Sequence, residues 1–172
     1  EQAETVQAIA EEFGGSAFQW TSKMEDRNKL WQARHDAYYA AIALRSGCQG
    51  WATDVCVPVS RLAECINETK DDLEETGLIS PLVGHVGDGN FHMLYIVDPN
   101  NQEEMAKAQA HSDRMVMRAL EMGGTCTGEH GVGYGKIHFL TNEHGDAMSL
   151  MRSLKTAFDP DNIMNPGKIV NI

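Results

Sequence analysis

The sequence predicts an α+β fold, an antiparallel sheet with helices packed on one face. Three observations lead there. Apolar residues recur at helical spacing in four long segments, and strand-like runs fall between them. Two of those runs, residues 81–86 and 91–97, sit side by side with Asp88-Gly89 between them, a strong hairpin signal. The resulting order is helix, strand, helix, strand, helix, strand, strand, helix, to which a further strand before the first residue would be a natural addition.

Val6, Ile9, Ala10 and Phe13 space a first helix, which Gly14-Gly15 stops. Residues 16–21 are a short strand candidate. Residues 24–45 form a long helix whose apolar band (Leu30, Ala33, Ala37, Ala41) is interrupted by Arg34, His35 and Asp36. Residues 51–57 alternate as one strand ended by Pro58. Ser60 is a plausible N-cap for a helix carried by Leu62, Cys65, Ile66, Thr69 and Leu73 to Gly77. After the hairpin, Asp98-Pro99-Asn100-Asn101 turns into a helix over 102–122, whose methionines read as core filler. Residues 143–158 make a last amphipathic helix.

Composition limits the function. With 172 residues the chain fits one domain or a piece of a larger protein, and Glu1-Gln2-Ala3-Glu4 entering a helix pattern at once suggests an excised fragment. A net charge of −11 argues against nucleic acid or an anionic membrane as the main partner. No apolar run is long enough for a transmembrane helix, and Glu1 opens no signal peptide. Cys48, Cys56, Cys65 and Cys126 match no zinc-knuckle spacing and read as reduced, partly buried thiols. The sequon Asn67-Glu68-Thr69 reads as chance.

Two constellations carry chemistry. If Asp88-Gly89 is a two-residue turn, His85 lies directly across from His92 on one face, with Cβ atoms roughly 4.5–5.5 Å apart. Two imidazoles so placed can share a metal ion. The second is Gly123-Gly124-Thr125-Cys126-Thr127-Gly128-Glu129-His130-Gly131-Val132-Gly133-Tyr134-Gly135-Lys136. It fits neither the dinucleotide nor the P-loop pattern, but it places a carboxylate beside an imidazole in pliant backbone. Glu129 with His85 and His92 would make three ligands and leave open positions. The tail, Asp159-Pro160 through Met164-Asn165-Pro166-Gly167-Lys168, reads as an ordered clamp on the domain.

Together, the Gly-His-x-Gly-Asp-Gly-Asn-x-His hairpin, the Gly-Glu-His-Gly-x-Gly loop and the Asn-Pro-Gly-Lys ending resemble the C-terminal domain of FAD-linked oxidases of the vanillyl-alcohol-oxidase type. The resemblance implies a ferredoxin-like substrate (cap) domain over residues 1–172, in a mitochondrial flavoenzyme that oxidises D-2-hydroxy acids by hydride transfer to FAD. It implies His85, His92 and Glu129 as ligands of a divalent metal (Zn or Mn), His130 as the base and Arg34 as the clamp on the substrate carboxylate. Asn165, with Glu129 and His130, is implied on the cofactor side. The FAD-binding domain of such proteins is absent from these residues, and the electron acceptor is not readable. Dicarboxylate-using members of the resembled family tend to carry an extra cation on the strand before Asp54, and Trp51-Ala52-Thr53 has none, so the resemblance implies a small monocarboxylate such as D-lactate rather than the dicarboxylate 2-hydroxyglutarate; glycolate is a further candidate. A metal-dependent hydrolase and a non-catalytic metal-binding module are the rival readings.

Overall fold

The computed structural model describes residues 1–172 and divides into two units, Glu1–Ala40 and Ala41–Ile172. The first unit holds α1 (Gln2–Glu12) and most of α2 (Met24–Ile42). Residues 16–21 are not a strand, because this unit offers no other extended segment for their backbone to pair with. α2 ends three residues sooner than its spacing predicts, in turns closed by Leu44 N–H to the Ala41 carbonyl and Arg45 N–H to the Ile42 carbonyl.

In the second unit, β4 (Asn90–Val97) is the centre of the sheet. β3 (Leu82–His85) runs antiparallel along one edge. The other edge carries β1 (Gln49–Ala52) and β2 (Val55–Cys56), which keep one register against β4, Ala52 opposite Leu94 and Val55 opposite Phe91. The single strand expected over 51–57 is thus one ladder interrupted at Thr53-Asp54. All eight β4 residues are buried, so the strand is covered on both faces. Phe91, Met93, Tyr95 and Val97 point into a core completed by α3 (Leu62–Thr76) and α4 (Gln102–Glu121), through Cys65, Ala108, Met115 and Ala119. Each large side chain fully buried there contributes about 1.5–3 kcal/mol. On the opposite face, Leu94 and Ile96 pack with Ala41, while Asn90 and His92 continue the row.

Local chemistry sets the remaining boundaries. Asn101 caps α4 by accepting the Glu104 N–H at 3.2 Å, and Gly77 ends α3 in the left-handed region. Ser60 does not cap α3, because a 3-10 turn over Val59–Arg61 leads straight into Leu62. The helix expected over 143–158 is two, α5 (Leu140–His144) and α6 (Ala147–Phe158). Gly145 separates them with φ 53° and ψ −126°, a conformation closed to other residues. No helix is long and apolar enough to cross a membrane.

Inside the core, the Tyr95 hydroxyl donates to His111 Nδ1 at 2.5 Å, and His111 Nε2–H donates to the Thr69 carbonyl at 3.0 Å. This wiring uses a neutral imidazole. Burial lowers the His111 pKa, and the Arg114 and Arg118 cations act the same way against the Thr69 carbonyl and Asp72. An unfolded chain therefore takes up this proton at a higher pH than the folded one. Stability from His111 is complete above the ordinary histidine pKa of about 6.5 and is lost as pH falls below it. His111→Gln should accordingly shrink the drop in Tm between pH 7 and pH 5. An unchanged drop would show that His111 is not the group responsible.

Candidate metal and substrate site

The hairpin that builds the site differs in register from the two-residue turn expected. Its loop is Val86-Gly87-Asp88-Gly89, closed by Asp88 N–H to the His85 carbonyl at 2.9 Å. His85 lies opposite Asn90, and His92 opposite Val83. Gly89 explains the longer loop: it has φ 77°, and a Cβ there would overlap the Val57 carbonyl oxygen. The slip is two residues, so side-chain parity survives and both histidines stay on one face as diagonal neighbours. Their ring centroids are 6.0 Å apart.

Thr53 orients His92. Its hydroxyl, in place of its carbonyl, accepts the Met93 N–H at 2.8 Å. The freed Thr53 carbonyl accepts from His92 Nδ1 at 2.8 Å. A proton on Nδ1 leaves the Nε2 lone pair for a ligand, the arrangement by which metal-binding histidines are held. His92 Nε2 faces Glu129 Oε1 at 2.9 Å, and His85 Nε2 lies 3.4 Å from that same oxygen. Two lone pairs at 2.9 Å require a proton or a cation between them. Donor atoms of His85, His92 and Glu129 all lie within 4.8 Å of one another. Two imidazoles and one carboxylate suit a borderline divalent ion, so these residues fit such a group. The Asn90 side-chain oxygen, buried opposite His85, has no partner of its own.

His130 completes the cluster. Its ring stacks on His92 with centroids 5.0 Å apart and planes inclined by 11°, and its Nε2 lies 3.6 Å from Glu129 Oε1. The loop that delivers Glu129 and His130 is moored to β2 by Thr125, which exchanges two backbone hydrogen bonds with Cys56. The side chains of Glu129 and His130 are both about half exposed.

The sequence reading passed over Asp54. This carboxylate is 1% exposed. It accepts from Asn90 Nδ2 at 2.8 Å, the Thr127 hydroxyl at 2.8 Å and the Gly128, Glu129 and His130 N–H groups at 2.9–3.1 Å, with Lys136 Nζ at 3.3 Å. Burial alone would raise its pKa; the His130 N–H, Thr127, Asn90 and Lys136 outweigh that and hold the carboxyl far below the usual range. The signal was an acid inside an apolar strand run, which must find partners when buried.

The structure gives Arg34 and Asn165 each within its own unit. Arg34 lies on α2 in the first unit, its guanidinium 5.6 Å from the Trp31 ring centre. Asn165 sits in a turn of the tail and accepts from Lys168 Nζ at 3.1 Å. That tail is tied to the loop beyond His130, by Ile169 N–H to the Gly133 carbonyl and the Tyr134 hydroxyl to the Pro166 carbonyl, and it buries Val170 in the core.

The family model for FAD linked oxidases, C-terminal domain, matches residues 1–169. The chain belongs to the FAD-linked oxidases. Among its relatives, a probable mitochondrial D-lactate dehydrogenase of Danio rerio is 50% identical over 173 residues, covering all of this chain and 35% of that protein. A mitochondrial D-lactate dehydrogenase (cytochrome) of Arabidopsis thaliana is 43% identical over 99% of this chain and 30% of its own length. A glycolate oxidase subunit of Bacillus subtilis is 33% identical over 96% of this chain and 35% of its own. This FAD-linked oxidase domain thus spans about a third of the length of the curated relatives it matches.

Proposed function

We propose that this chain is the substrate- and metal-binding domain of an FAD-dependent D-2-hydroxyacid dehydrogenase that oxidises D-lactate to pyruvate. The observation that carries the reading is the convergence of His85, His92 and Glu129 within 4.8 Å, with His130 stacked on the buried His92. In this reading His85, His92 and Glu129 hold a divalent ion, Zn or Mn. Bound, that ion supplies Lewis-acid polarisation of the substrate hydroxyl, and FAD, held by a further domain of the same protein, supplies the hydride acceptor.

The chain's own residues do the rest. His130 takes the hydroxyl proton on an imidazole nitrogen, which requires it to be neutral. Arg34 grips the carboxylate through its two-pronged guanidinium and so fixes which face of the carbon is presented. Asn165 is the tail residue assigned to the flavin side. A small monocarboxylate is favoured because Trp51-Ala52-Thr53 brings no second cation, and the relatives named above are called after D-lactate and glycolate. Two of them are named as mitochondrial, which supports the same location here.

The test is metal removal from the intact flavoprotein. Stripping with a chelator should abolish D-lactate binding in a titration, and adding back Mn²⁺ or Zn²⁺ should restore it. A hydrolase or a non-catalytic module would show no metal-dependent binding of 2-hydroxy acids. D-lactate binding that survives complete stripping would overturn the reading.

A further inference from the structure

The side chains that define the site on the glycine-rich loop have little packing of their own: Glu129 and His130 are both about half exposed. Something else must hold them against His92. Their backbone supplies the answer, because three successive N–H groups, those of Gly128, Glu129 and His130, all converge on Asp54 Oδ2 at 2.9, 3.1 and 3.0 Å. Successive amides curled around one anion form a nest, a fixed concavity whose shape is set by the charge at its centre. The Thr127 hydroxyl adds a fourth donor from the same loop at 2.8 Å. Gly128 is obligatory in this wrap, since a Cβ would overlap the Asn90 amide.

Asp54 itself is buried and bonded on both oxygens. It sits at the break between β1 and β2, buried, with Asn90 Nδ2 on its other oxygen at 2.8 Å. Lys136, at the far end of the loop, donates to the Asp54 backbone carbonyl at 2.7 Å and approaches the carboxylate at 3.3 Å, which neutralises the buried charge. The strand register places Asp54 opposite His92, with His92 Nδ1 3.8 Å from Asp54 Oδ1. One carboxylate therefore fixes the loop bearing Glu129 and His130 relative to the strand bearing His92.

We propose that Asp54 is the positioning residue of the site: it sets Glu129 at the distance from His85 and His92 that lets the three act as one chelate, and it sets His130 beside them. This rests on the metal-binding reading above. Asp54 is not one of the clustered donors; it acts through the amides of residues 128–130. A merely structural carboxylate would, when replaced, lower Tm and leave the ion affinity of the folded protein alone.

The experiment is a Mn²⁺ titration followed by electron paramagnetic resonance on the intact protein, at a temperature where every variant is folded by circular dichroism. Asp54→Asn keeps the shape but turns an amide NH₂ toward amide donors. It should weaken Mn²⁺ by about 10–100-fold, the usual cost of losing a partner that orients metal ligands. Thr127→Val removes one donor from the same oxygen and should weaken Mn²⁺ in the same direction by less. It also serves if Asp54→Asn does not fold. Unchanged Mn²⁺ affinity in the folded variants would overturn the positioning role. If the unaltered protein takes up no Mn²⁺ or Zn²⁺, the metal reading itself has failed, and the two failures are thereby told apart.

Discussion

His92→Ala should abolish tight divalent-metal uptake and lower turnover of the flavoenzyme by roughly 10²-fold or more. Its imidazole is the one buried member of the three-residue cluster, with its side chain 8% exposed against 38% for His85 and 48% for Glu129. It is also the one whose tautomer is fixed from behind, by the Thr53 carbonyl at 2.8 Å. Removing it deletes a preorganised imidazole and strands that carbonyl. A bound ion contributes several kcal/mol of charge stabilisation to such a reaction, and about 1.4 kcal/mol is tenfold in rate. His85→Ala and Glu129→Gln remove exposed groups and should reproduce the loss of metal with smaller losses of stability. The sheet should survive in all three, because its core face is held by Phe91, Met93 and Tyr95. Metal analysis after gel filtration decides the matter: variants that retain a full equivalent of ion would refute the ligand assignment.

The parts of this site that were legible in the sequence are those that depend on local periodicity. A strand alternates with period two, so His85 and His92 could be put on one face even though the turn between them is longer than Asp88-Gly89 implies; the slip of two residues left parity untouched. What decides the loop length is Val57, thirty-two residues before Gly89 and not visible as its neighbour in one dimension. The interruption at Thr53-Asp54 was hidden for the same reason. Each of those residues breaks the ladder to serve a group elsewhere, His92 for the Thr53 carbonyl and residues 128–130 for the Asp54 carboxylate. Helix ends governed by a single residue were easier when that residue is glycine near a terminus, as at Gly77. They were harder when it splits an amphipathic pattern, as at Gly145. The glycine-rich loop showed that backbone must bend and that a carboxylate stands beside an imidazole, but not what it bends around.

The second large effect concerns His130, and it should separate from the metal. His130→Ala should lower kcat by about 10²–10⁴-fold, the ordinary worth of a positioned general base. Metal affinity should hold, because the ligand atoms of His85, His92 and Glu129 do not include it and because its backbone N–H stays bound to Asp54 whatever its side chain is. KM should change little, since the imidazole acts as the proton leaves rather than when substrate arrives. Arg34→Ala gives the opposite pattern. A carboxylate clamp works in ground and transition states alike, so KM should rise strongly, and Arg34→Lys should restore little because a point charge does not reproduce the fork. The pair of variants therefore distinguishes a base from a clamp in one set of steady-state curves. For His130 the sharper measurement is stopped-flow reduction of the flavin at saturating D-lactate, which isolates the chemical step from product release. A slow reduction phase with a full complement of metal fits a proton acceptor that touches substrate alone. Reduction at the wild-type rate would remove His130 from the chemistry and leave it as a ring that merely covers His92 at 5.0 Å.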